Sequence, residues 1–253
     1  MRRHHRSRRT MAGLLFLCIV AACGGTDPVL PANDADGPGI SGVLVSESGE
    51  AIPYVNVMAC TLAVCYYADS DRTGRFEFLL DSPGVYLIKT SEDLSSRPRR
   101  TSPMVPVIVE GDEFIDLGNV SAPMLPADVP VGADGVVEAG DGLTLVFDPA
   151  APGTPDAVAA RRIPDAIIPE FRTLPDEHVV AVYALHPFAL KTEAPVGVRV
   201  MSDSGNVAAF RTIDEIDGSF SDPVPGQTVQ GAWVSLPGTG ITSLTHLVVV
   251  GEN

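Results

Sequence analysis

Short apolar runs broken by turn residues recur along this chain, and they predict strands rather than helices. Ile40–Val45 reads as a strand, and "SESGEAIP" after it is a loop that bends at Gly49. From Tyr54 to Cys60 apolar and polar positions alternate, with Val55, Val57 and Ala59 on one face. "CYYAD" is a return strand, "SDRTG" a turn, and "RFEFLL" a strand with Phe76 and Phe78 on one side. "DSPG" turns again into "VYLIKT", and "MVPVIVEG" and "FIDLGNV" can supply further strands. In the second half Leu143, Leu145 and Phe147 alternate; "HVVAVYALHPFAL", "APVGVRVM", "AWVSL" and "LTHLVVVG" continue the series. "PDAVAARRIPDAIIPEF" contains helix-favouring residues, but Pro155, Pro164 and Pro169 limit any helix there to about two turns.

Twenty-four Gly and 22 Pro, spread as punctuation through 253 residues, agree with many turns and an all-β fold. "APMLPADVPVGADG" divides the strands into two groups. The expectation is two antiparallel β-sandwich domains in tandem, residues 39–121 and 136–253, joined by a linker over 122–135.

The first residues break this pattern. "MRRHHRSRRTMAG" holds five arginines and no acid, and "LLFLCIVAA" follows without a charge. A membrane-crossing helix needs about 20 apolar residues, so this run is short; it fits the central part of a secretory signal. "VAAC" (Val20, Ala21, Ala22, Cys23) resembles the lipobox that ends bacterial lipoprotein signals. That resemblance implies a diacylglycerol thioether on Cys23, removal of residues 1–22 and acylation of the new amine. Cleavage by the ordinary signal peptidase and an uncleaved anchor are the alternatives. With two or more acyl chains the anchor is stable, whereas one is marginal. Residues 23–38, polar and rich in Gly and Pro, read as a flexible tether. Gly24 rather than Asp follows Cys23, which by analogy with enteric bacteria favours the outer membrane over the inner.

Export changes the charge and the cysteine count. Loss of residues 1–22 removes five of the 17 basic residues and none of the 32 acidic ones, leaving 12 against 32, or −20. Such a surface repels phosphate backbones, so no nucleic-acid partner is expected. "RPRR" at 97–100 reads as a solvated loop. Cys18 leaves with the signal and Cys23 takes lipid. Cys60 and Cys65 remain, an even pair in an oxidising compartment. Their hairpin spacing suits a structural disulfide; a redox or metal pair would want C-x-x-C spacing and further ligands.

"SGVLVSESGEAIPYVNVMA", "DSDRTGRFEF" and "SPGVYLIKTS" together resemble the carboxypeptidase regulatory-like domain, a small transthyretin-like β-sandwich. Gly74, Phe76, Pro83, Gly84 and Tyr86 match its pattern. Ser70 stands where threonine is usual, and the Cys60–Cys65 segment is an insertion. The resemblance implies an accessory or binding module without peptidase chemistry. "GDGLTLVFDPAA", "VYALHPFALKTEAPVGVRV" and "ITSLTHLVVV" more loosely resemble the ZU-type sandwich of netrin receptors and ankyrins, and a repeated domain of lipoproteins from predatory and gliding bacteria. This implies interaction rather than chemistry.

No catalytic motif emerges. His178, His186 and His246 lack zinc-peptidase spacing, and there is no nucleophile elbow, phosphate loop or dinucleotide fingerprint. Asp69, Asp71, Thr73 and Gly74 match the start of a calcium loop, but Leu80 occupies the position that needs Glu, so a hairpin turn is the better reading. Asp214/Glu215, Asp134/Glu138 and Asp27/Asp34/Asp36 could meet calcium at loop tips, or simply hydrate an acidic surface. Trp233 reads as a core anchor, with sugar stacking as its alternative. The expectation is therefore a non-catalytic envelope lipoprotein, held to the membrane through Cys23, with no cofactor or metal and a protein or glycan partner. A carbohydrate- or peptide-binding module is the alternative, and an envelope hydrolase is less favoured.

Overall fold

The computed structural model describes residues 37–90, 99–165, 178–202 and 207–251, nearly all of them in strands and turns. Cys23, the tether and Asp27, Asp34 and Asp36 lie outside the described residues. Among the described residues no helix is long and apolar enough to cross a membrane.

The first seven strands form two facing sheets. β1 (Gly39–Val45), β4 (Arg75–Leu79) and β7 (Phe114–Ser121) make one, in the order β4-β1-β7. β2 (Asn56–Cys60), β3 (Cys65–Asp69), β5 (Gly84–Thr90) and β6 (Val105–Val109) make the other, in the order β3-β2-β5-β6. All pairs are antiparallel except β1 with β7, which run parallel. The expected alternation holds in β4, where Phe76 and Phe78 are buried and Arg75 and Leu79 exposed. Both phenylalanines join Ile40, Val57, Tyr86, Ile88 and Val107 in one core between the sheets.

The turn residues of the regulatory-like pattern have physical work in this fold. Asp71 Oδ1 accepts from the Thr73 amide (2.7 Å), the Thr73 hydroxyl (2.7 Å) and the Arg75 amide (3.0 Å). The Thr73 hydroxyl is the largest reason its carboxyl is held below the usual range. Gly74 at φ +77° sits where a Cβ would lie 2.6 Å from the Leu44 carbonyl. The turn carries the chain from β3 in one sheet to β4 in the other, so it is a tight sheet-crossing turn rather than the expected hairpin. Buried Ser70 donates to the Ile52 carbonyl and accepts from the Val55 amide, both at 2.9 Å, so its hydroxyl ties the β1–β2 loop to β3. Tyr86, buried in the core, donates to the Ser82 carbonyl at 2.6 Å.

The remaining strands form one eleven-stranded sheet that curls into a nearly closed barrel. They are β8 (Val129–Pro130), β9 (Val136–Gly140), β10 (Leu143–Val146), β11 (Ala157–Arg162), β12 (His178–His186), β13 (Leu190–Met201), β14 (Val207–Thr212), β15 (Val224–Val229), β16 (Ala232–Ser235), β17 (Ile241–Leu244) and β18 (His246–Gly251). Its order is β8-β11-β12-β18-β14-β15-β16-β13-β10-β9, with β17 on β13. The far edges meet: a Cβ on Gly140 of β9 would lie 2.7 Å from the Ala160 carbonyl of β11. Leu143, Leu145, Tyr183, Val198, Trp233 and Leu247 fill the interior.

Two segments differ from their sequence reading. Ala157–Arg162, helix-favouring by composition, is strand β11, because pairing with β12 buries Val158, Ala159 and Ala160 completely. Packing outweighs a weak local preference there. Within the proline-rich 122–135 segment, Val129–Pro130 pair with β11 as a two-residue strand. Of "RPRR", residues 97 and 98 lie outside the described residues, and the other two are less free than expected: Arg99 makes a two-pronged contact with Asp128 (2.7 and 3.1 Å), and Arg100 lies 3.8 Å from Glu47.

Candidate functional site

β5 is buried on both faces, and that is where the candidate site begins. Tyr86 and Ile88 point into the first core. Leu87, on the opposite face and fully buried, packs with Met104 against Ile163, Val182, Ala184, Ile213, Val248 and Val250 of the second half. β12 and β18 are two-sided in the same way: Tyr183, Leu247 and Val249 face the barrel interior, while Val182, Val248 and Val250 face this seam.

The loop between β14 and β15 closes over the seam. Asp214 shapes it: its amide donates to the Ser219 carbonyl, its carbonyl accepts from the Gly218 amide, and its Oδ1 accepts from the Ile216 amide at 2.8 Å. Gly218, at φ +71°, lets the backbone rest on Leu87, whose Cδ1 would be 3.2 Å from any Cβ there. Lys89 of β5 donates to the Glu215 carbonyl, and Lys191 lies 3.5 Å from the Glu215 carboxylate. Burial lowers the Lys89 ammonium from its ordinary value, with Glu215 and Asp214 opposing.

Cys60 and Cys65 are joined by a disulfide and face each other in the β2–β3 register, with Cα atoms 4.0 Å apart. Thr61 holds the turn between them: its amide donates to the Val64 carbonyl at 2.8 Å, and its hydroxyl oxygen accepts from the Ala63 and Val64 amides at 3.1 Å. Cys60 is also the register partner of Leu87. The stapled hairpin therefore stands beside the seam.

Between hairpin and loop the seam opens into a groove of about 730 Å³, lined by residues 61–63, 84–85 and 217–220. Leu62, 75% exposed, and Val85, 47% exposed, make it largely apolar together with Phe220, and Thr61, Asp217 and Ser219 add polar groups. At its other end the seam is shut. There residues 100–102, Leu125, Phe188 and His246 leave a void of only about 10 Å³.

Among the described residues the three histidines lie apart along β12 and β18, and His186 is near enough to Asp128 to help lower its carboxyl, after the larger effect of Arg99. His178 begins β12 opposite Gly251, while His246 pairs with Ala184 near the other end of that strand. His246 is 3% exposed, and its Nδ1 has no hydrogen-bond partner. Burial pushes its pKa down to about 3, so the ring is neutral. It is neither exposed nor satisfied at that nitrogen. His186 ends β12 before a cis peptide bond to Pro187. Trp233 is buried in the second core, which removes it as a sugar platform. Asp134 Oδ1 accepts from the Val136 amide, a local turn role like that of Asp214. Among the described residues no group of three or more His, Cys, Asp or Glu could hold a metal ion.

Sequence reasoning missed the groove. Its signals were unbroken apolar runs in β12 and β18, where alternation would indicate one buried face.

No protein-family model matches the chain, and no curated protein matches it significantly. Solved structures overlap it loosely. Two are DUF3823 family proteins. The one from Parabacteroides merdae ATCC 43184 is 10% identical, covering 79% of this chain and 80% of that one, with a TM-score of 0.26. The one from Bacteroides ovatus ATCC 8483 is 10% identical, covering 79% and 82%, with a TM-score of 0.27. A third, a suggested carbohydrate binding protein from Bacteroides uniformis ATCC 8492, is 10% identical, covering 86% and 80%, with a TM-score of 0.23. Overlaps this loose assign no activity to the chain.

Proposed function

We propose that this chain is a non-catalytic binding protein of a bacterial cell envelope, anchored through lipid on Cys23. The observation that carries the binding role is the groove at the seam. It measures about 730 Å³, and its wall is mainly apolar, with Leu62, Val85 and Phe220 beside the polar groups of Thr61, Asp217 and Ser219. Pockets of about 300–1,000 Å³ are the usual size for ligand sites. Residues 39–121 serve as a regulatory-like module in this reading, and residues 136–253 as the barrel against which it forms the groove. The three-plus-four arrangement of β1–β7 supports that assignment. The anchor rests on "VAAC" and the tether after it. The outer membrane is its proposed location, from Gly24.

Two experiments test the reading. Affinity capture of the lipidated protein from crosslinked envelope membranes is expected to enrich a specific partner; recovery of none would remove the binding role. Cys23→Ala is expected to abolish palmitate labelling and block processing. Normal labelling of that variant would refute the anchor.

A further inference from the structure

The groove lies at one end of the first sandwich, and the composition of that end points to its occupant. Strand register shows which segments meet there. Gly39, where β1 begins, pairs with Leu79 at the end of β4 and with Phe114 at the start of β7, and its amide donates to the Glu113 carbonyl. Gly84, at the start of β5, pairs with Val109 at the end of β6. The β4–β5 connection, the β6–β7 connection and the stapled hairpin therefore share this end with the groove.

Two features combine in these segments. Leu62, Val64, Leu79, Val85, Phe114 and Ile216 are large apolar side chains left exposed. Around them stand Asp81, Glu110, Asp112 and Glu113, all exposed, with Asp217 in the groove wall. Residues 37–40, 60–65, 78–86, 108–115 and 215–220 contain no lysine or arginine. The cations beside the loop are engaged with it: Lys89 and Lys191 with Glu215, and Arg211 with the Ser221 carbonyl.

We propose that this groove docks a polypeptide segment that combines aliphatic side chains with lysine or arginine. This rests on the binding role above and names its partner class. The aliphatic walls remove apolar side chains from water, at about 25 cal/mol per Å² buried. The acidic surround attracts the flanking cations and rejects acidic competitors. Anionic lipid headgroups are repelled by the same carboxylates.

The test uses the protein with intact disulfide and a short synthetic peptide of alternating lysine and leucine, titrated calorimetrically at physiological salt. Val85→Glu and Leu62→Glu change exposed positions, so folding is expected to be retained and is checked by circular dichroism. Each is expected to weaken binding about tenfold. Asp112→Lys is expected to weaken it about threefold, and Glu50→Lys, the same charge change at the opposite end of the sandwich, less than about twofold. Wild-type affinity in both groove variants would overturn the proposal, as would equal losses in Asp112→Lys and Glu50→Lys, which would mean net charge alone. Binding of the unlipidated Cys23→Ala protein to phosphatidylcholine vesicles in place of the peptide, lost in Val85→Glu, would overturn it in favour of a lipid surface. If the peptide does not bind but envelope capture still enriches a partner, the peptide assignment falls and the binding role stands.

Discussion

The two ends of one seam come out opposite. At one end residues 100–102, Leu125 and Phe188 pack around His246 and leave about 10 Å³. At the other a stapled hairpin and a lysine-held loop stand apart across about 730 Å³. The closed end is tied by Arg99 to Asp128 and by the Ser102 hydroxyl to the Thr90 backbone; the open end displays apolar side chains among exposed carboxylates. One pair of sheets can thus spend its apolar surface on cohesion at one end and keep it available at the other.

The largest expected break in this contrast comes from Leu87, which lies between the two ends. Leu87→Ala removes a fully buried side chain from beneath Gly218 and should cost about 3 kcal/mol in urea unfolding. It should also raise hydrogen exchange in loop 214–220 more than around His246.

The closed end has a pH signature of its own. His246 takes a proton in the folded protein only near pH 3, whereas the unfolded chain takes it near 6.5. Between those values the unfolded state binds more protons, so stability falls as pH falls. The slope is about 1.4 kcal/mol per unit, or about 2 kcal/mol between pH 7 and 5. His246→Leu should remove that part of the dependence; an unchanged slope would mean the ring is not held neutral by burial.

A smaller effect belongs to the open end. Replacing both Cys60 and Cys65 by serine should cost roughly 2 kcal/mol, since the closed loop is short. Peptide affinity should fall in the same variant as the hairpin loses its staple, and pH dependence around His246 should stay as it was.

Much of the first sandwich is legible in the sequence, because its strands alternate or are bounded by turns with a mechanical reason. "RFEFL" buries two phenylalanines on one face, and Asp71, Gly74 and Pro83 mark turns where the turns are, with Gly84 opening β5. The hairpin joining Cys60 to Cys65 is legible from spacing alone. The seam is not. Leu87 looks like the solvent side of an ordinary strand until another sheet is placed on it, and no local pattern names that sheet. β11 is hidden for a related reason: Ala and Arg suit a helix, and only pairing to β12 makes Ala157–Arg162 a strand. The acidic residues of the open end are visible singly, but Asp81, Glu110 and Asp217 become one surround only through the register of β5 with β6 and the closure of the loop.

The most direct test of the contrast places a photoreactive side chain at Val85, beside the open groove, or at Thr73, in the β3–β4 turn at the opposite end of the sandwich, in the otherwise intact lipid-anchored chain. After irradiation of cells, Val85 is expected to yield adducts of defined mass with an envelope protein, and Thr73 none above background. Equal adducts from both positions, or adducts from Thr73 alone, would contradict the claim that the open end of the seam is the binding surface.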